Sequence, residues 1–318
     1  MDRFQILRSP KFLAIFGLLG WVYWPTIAQL YDTWTTHPDY SHGLLVPFFA
    51  IYLLLQSRKP IAAVARPWPV IGFATLGLAI SLRLFGAATS FLPIEGASLV
   101  MCLTALAMIA GGKFALKRFW MSLTFLLFMV PLPYEMSRLM GAELQRVATA
   151  CSTFVLQCLG QPAIAEGNRI LIEGVTLNVV EACSGLRMLV TFLAFSVAAA
   201  MLLERHWSVK GIVLGSAVPI AILTNVLRIT VTGLGHVLLT PGESKVKIME
   251  FIHDFNGWMM MPIGLSFLLF ELWVLKHLLI ERSGVRRSRP SAGPATTAAP
   301  LIVKKPRFAS VIQVPVSR

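Results

Sequence analysis

The stretch EMSRLMGAELQRVATACSTFVLQCLG, residues 135–160, decides how the whole chain is threaded. It reads as an amphipathic helix whose first half carries Glu135, Arg138, Glu143 and Arg146, too polar to cross a bilayer comfortably. Around it lie six apolar runs long enough, at 1.5 Å per residue, to cover about 30 Å of hydrocarbon, at about 12–30, 69–88, 90–112, 184–203, 211–235 and 257–280. Two shorter runs, about 43–56 and 119–133, are plausible spans and bring the expected number to eight. If residues 135–160 crossed as well, every basic cluster after them would change sides.

Those clusters argue against a crossing. Arg3, Arg8 and Lys11 precede the first run; Arg58, Lys59 and Arg66 follow the second; Lys113, Lys117 and Arg118 follow the fourth. Arg205 and Lys210 follow the sixth, and Arg282, Arg286, Arg287 and Arg289 follow the eighth. With eight alternating spans all of these share one side, which the positive-inside rule makes cytoplasmic, together with both termini. The loop YDTWTTHPDYSHG, residues 31–43, has no Lys or Arg, as an outer loop should. Residues 135–160 are therefore laid on the outer surface, or re-enter without crossing.

Composition agrees. The 318 residues are 56% hydrophobic and 14% charged, against about 25% charged in a soluble globular domain. The net charge of +13 sits in short clusters between apolar runs, with no basic face of helical or strand spacing, which argues against nucleic acid as a partner and for membrane lipid. Four scattered cysteines make no disulfide framework; Cys151 and Cys158 are seven apart on one helix, about 10 Å along its axis, too far to pair. The N-terminal apolar run lacks a small-x-small exit and reads as an uncleaved first helix. Residues 282–318, rich in Pro, Ala, Ser, Thr and Arg, read as a basic, disordered cytoplasmic tail after a membrane domain of residues 1–281. The expected fold class is an all-α polytopic integral membrane protein of about eight transmembrane helices. A short extracytoplasmic β-hairpin, signalled by NRILIEGVTLNVV with its turn at Glu173-Gly174, precedes the sixth span.

This threading brings three residues to one face. Cys183 opens the sixth span from outside, Arg228 lies toward the outer end of the seventh, and His253 opens the eighth from outside. A thiolate is a nucleophile, an imidazole takes or returns a proton near neutral pH, and a guanidinium stabilises a thiolate or an oxyanion. The chemistry implied is acyl transfer through a thioester. An arginine within a span costs about 2.5–3.5 kcal/mol on insertion scales, which makes Arg228 a functional candidate unless it snorkels to the interface. Arg187, one turn after Cys183, could support the thiolate or meet lipid phosphate. Asn225, Glu181, Asp254 and Asn256 could orient the main groups, and His42 is a supporting candidate. Arg83 could bind a substrate carboxylate or pair with Glu95. Ser41 beside His42 lacks the carboxylate and nucleophile elbow of a serine hydrolase, and neither a metal-binding spacing nor a phosphate loop is present, so no cofactor or metal is expected.

The set ACSGLR opening a span, NVLRI late in the next, HDFNGW opening the last and YSHGLLVP near the N-terminus resembles the exosortase/archaeosortase family of polytopic membrane cysteine transpeptidases, over roughly residues 10–280. The resemblance implies the nucleophile at Cys183, the arginine at Arg228 and a third residue at His253, histidine marking the bacterial branch. It implies as substrates exported proteins with a C-terminal sorting signal, a short Pro-Glu-Pro type motif followed by a transmembrane helix and a basic cluster. It leaves open whether Arg228 or His253 carries the proton. The location implied is the cytoplasmic (inner) membrane with the active site on the extracytoplasmic side. Two other readings stand beside it. One is a transporter holding an anionic solute on Arg83 and Arg228. The other is a non-catalytic assembly factor linked to exopolysaccharide export, with Cys183 as packing.

Overall fold

The computed structural model describes residues 10–56, 68–172, 175–179, 185–238 and 243–278, with backbone alone at 11–13, 175, 243–254 and 256. The chain divides into a unit of residues 1–277 and a second of residues 278–318; the expected tail lies outside the described residues. The first unit is helical with one small sheet.

Helices α1 (Pro10–Val22) and α2 (Trp24–Thr36) run on through Tyr23, whose N–H donates to Leu19 O at 2.9 Å while Ile27 N–H donates to Tyr23 O at 2.8 Å. Pro25, with no N–H to give, breaks the ladder between them. A 3-10 segment, Pro38–Leu44, leads into α3 (Val46–Gln56). Then come α4 (Trp68–Thr89), α5 (Leu92–Phe125) and a 3-10 turn, Leu126–Met129. After α6 (Tyr134–Cys158) and the sheet, α7 (Leu186–Leu202), α8 (Trp207–Leu238) and α9 (Glu243–Leu278) complete the described part.

Among the described residues, four helical stretches are long and apolar enough to cross a bilayer: Trp68–Thr89, Leu92–Met129, Trp207–Leu238 and Gly257–Leu278. The stretch Leu92–Met129 doubles back on itself. A methyl on Gly96 would lie 3.0 Å from Val130 Cγ2, yet 34 residues of straight helix would separate the two by about 51 Å. The reversal is at Gly112, with φ 53° and ψ −142°, a conformation open to glycine and costly for an L side chain. The expected spans 90–112 and 119–133 are thus the two arms of a helical hairpin. The other expected spans are shorter or broken: 12–30 is split at Pro25, α7 has 17 residues, and α3 has 11, about 16 Å of rise.

The expected hairpin is present, as β2 (Arg169–Ile172) pairs antiparallel with β3 (Val175–Asn178), Ile172 opposite Val175. An additional strand, β1 (Ala163–Glu166), pairs with β2 through the two-residue turn Gly167–Asn168. Ile170, Ile172 and Val179 pack with Ala148 and Leu156 of α6 and Ile229 of α8. The sheet thus rests on the last turns of α8.

One end of the bundle holds a group of polar contacts between distant segments. There Trp34 Nε1 donates to Met129 O (2.9 Å), Tyr40 Oη meets Ser137 Oγ (2.8 Å) and His42 Nε2 meets Phe128 O (3.2 Å). Helix α6 touches this end along its length. Ser137 meets Tyr40 near its start, Ser152 Oγ donates to Val226 O at 3.4 Å, and Gln157 Nε2 donates to Ala163 O at 2.8 Å near its finish. A helix of 25 residues spans about 37 Å, so one that crossed would carry one of these contacts to the opposite end.

Candidate active site

Two glycines bring three helices together. Gly185 caps α7 at φ 83°, and a Cβ there would sit 3.0 Å from Asn225 Nδ2. The dihedral favours glycine, and the contact leaves little room for a side chain. Gly257 of α9 does the same for Arg228, with a Cβ site 3.2 Å from Nη2. Asn225 and Arg228 are three apart on α8 and share a face; they are 2% and 5% exposed. The polar side of α8 at this depth is closed in by the start of α7 and by α9.

Position 253 falls in the same register. It stands one turn before Gly257, on the face that continues through Met260, Gly264, Leu268 and Glu271 at helical spacing. Met260 and Leu268 are buried in the core with α7 and α8, Gly264 packs against Phe192, and Glu271 accepts a hydrogen bond from Ser216 of α8. The α9 backbone therefore presents position 253 on its α8-facing side. Cys183 and Glu181 lie outside the described residues, as do the side chains of His253, Asp254 and Asn256.

The remaining candidates stand further out. Arg187 Nε faces Asp39 Oδ1 at 3.7 Å, a long and partly exposed pair that ties α7 to the 3-10 segment. His42, 5% exposed, rests on Phe128 O. Burial pushes its pKa below the ordinary value, against the opposing pull of the Phe128 and Asp39 carbonyls, so it is an uncharged anchor of that segment. Arg83 meets Glu95 Oε2 at 2.9 Å, and Thr26 Oγ1 donates to the same oxygen at 2.7 Å. Of the two roles open to Arg83, pairing with Glu95 is the one found, so its guanidinium already faces a carboxylate of the chain. Sequence reasoning passed over Gly185, Gly257 and Asp39. The signal lay in spacing: Gly257 is one turn after His253 and Gly185 two residues after Cys183, where small residues let helices approach closely.

The model of the transmembrane exosortase family matches residues 34–270. Comparison with curated proteins and with solved structures gave no match.

Proposed function

The chain belongs to the transmembrane exosortase family, and from that premise we propose that it is a cysteine protease/transpeptidase that cleaves the C-terminal sorting signal of exported proteins. In this reading the polypeptide crosses the inner membrane eight times, keeps both termini in the cytoplasm and works at the extracytoplasmic face. The Cys183 thiolate attacks the carbonyl carbon beside the sorting motif; the C–S bond forms, the C–N bond breaks, and the leaving amine takes up a proton. Water, an amine or a lipid then resolves the acyl-thioester. Arg228 supports thiolate and oxyanion or donates the proton, and His253 carries the proton or stabilises the transition state.

One observation carries the reading. Arg228 is buried within an apolar helix yet packed on Gly257, one turn from position 253, while Asn225 beside it packs on Gly185, two residues from Cys183. An arginine within an apolar helix is costly to insert, and a guanidinium beside a reacting carbonyl stabilises the oxyanion that forms there. The test is co-expression with an epitope-tagged protein bearing a Pro-Glu-Pro type signal. Wild type is expected to shorten it. Cys183→Ala, inserted at equal level, is expected to leave it intact, and full processing by that variant overturns the mechanism.

A further inference from the structure

Helix α6 has three faces rather than two. Gly141, Ala148, Ser152 and Leu156 are buried against the rest of the protein. Glu135, Arg138, Glu143 and Arg146 are exposed and joined as two ion pairs, Arg138–Glu135 at 3.0 Å and Arg146–Glu143 at 2.9 Å. A third strip, Met136, Met140, Leu144, Val147, Cys151, Phe154 and Cys158, runs at spacings of three and four along the whole helix. It is apolar and largely uncovered: Met136 is 51%, Val147 42% and Phe154 65% exposed, both cysteines are exposed, and Met140 and Leu144 are half-buried. At 100° per residue the centres of the three strips are separated by about 120°, with buried Thr153 and exposed Leu139 falling on the charged side. Only one surrounding gives a helix protein on one flank, water on a second and hydrocarbon on a third, and that is the edge of a bilayer beside the bundle.

We infer that α6 is an interfacial helix whose Met136–Cys158 strip is seated in the acyl chains of the leaflet at the site end, with the Glu–Arg pairs turned to water. The occupant of the strip is lipid. A protein partner would not account for the charged strip beside it, because the self-neutralised pairs leave no net charge to recognise and lose little by staying in water. The consequence reaches the site. Ser152 donates to Val226 O, and Leu156 packs on Gly233, so the helix at the lipid edge grips α8 on either side of Arg228. It sets the depth of that arginine close to the headgroup level, where a water-soluble segment of substrate can meet it. This placement stands whether or not Cys183 is a nucleophile.

The test uses the full chain in lipid vesicles, with Cys102 and Cys183 replaced by alanine so that no catalytic thiol reports. Native Cys151, with Cys158→Ser, probes the apolar strip without altering α6 near Arg228. Glu143→Cys, in the same background with Cys151→Ser, probes the charged strip. A membrane-impermeant maleimide is expected to react at least tenfold more slowly with Cys151 than with position 143, the difference vanishing in denaturing detergent. A nitroxide carried on lipid acyl chains is expected to quench a fluorophore at 151 and not at 143. Equal fast labelling at both positions, or protection of both, overturns the inference, the first placing α6 in water and the second placing it across the membrane.

Discussion

At the scale of the residue, the site depends on two side chains that are not there. Gly257 leaves room for the Arg228 guanidinium, and an added methyl would sit 3.2 Å from Nη2, pressing it aside by a few tenths of an ångström. Alanine is the better helix former by about 1 kcal/mol, so the stability of α9 is not expected to fall in Gly257→Ala. Cleavage of the tagged substrate is expected to drop by about tenfold or more, since misplacing a catalytic group by 1 Å can cost on the order of 10²-fold. Unchanged cleavage with an unchanged melting temperature would mean that Arg228 does not act from this position. Gly185 differs, because its φ of 83° makes any substitution strained whatever the space. The candidates Asn225 and Arg228 were legible in the sequence because a polar pair at i, i+3 inside an apolar run has few innocent explanations. The glycines that seat them were not, since a glycine in an apolar helix is common and its neighbour is known only once the helices are packed.

At the scale of the element, hydropathy located the apolar segments and missed what interrupts them. The reversal between 90–112 and 119–133 was legible as two alternating spans, but its sharpness was not, because a period of 3.6 does not show that one residue, Gly112 at φ 53°, makes the turn. Strand β1 was missed because Ala163-Ile164-Ala165-Glu166 is poor in β-branched residues, although Gly167–Asn168 is a two-residue hairpin turn by composition. The 3-10 segment Pro38–Leu44 shows the opposite case, a motif legible as YSHG whose role only packing reveals. His42 holds it to Phe128 O, and burial lowers the imidazole pKa from 6.5. The folded state then binds fewer protons than the unfolded state between the lowered value and 6.5. The stabilisation is present above about pH 6.5 and drains away as the pH falls below it. Thermal unfolding of the purified protein between pH 7.5 and 5.5 should show a steeper loss of melting temperature in wild type than in His42→Asn. Parallel curves would mean that the imidazole does not titrate with folding.

At the scale of the whole molecule, a cluster of polar contacts ties one end of the bundle together. Thr26, Arg83, Glu95 and Ser98 pin α2, α4 and α5 together there, with Tyr23 Oη 3.1 Å from Ser98 Oγ and Arg83 stacked over the Tyr23 ring. The pairing of Arg83 with Glu95 could be read as one of two options in the sequence; the hydroxyls that complete it could not. The same end holds the 3-10 segment, α6, the sheet, and the helix ends around Asn225 and Arg228. How the helices between them break and reverse is decided by proline, by a positive φ and by close packing, which charge does not record. The proposed mechanism requires Cys183 and position 253 to converge across α8. The most direct measurement is cross-linking of Cys183 with His253→Cys by a short bis-thiosulfonate, in a chain whose other cysteines are serine, cut between α8 and α9 and run without reductant. The two fragments are expected to stay joined in intact membranes and to separate on reduction. Fragments that separate without reductant, although both thiols label singly, would contradict it.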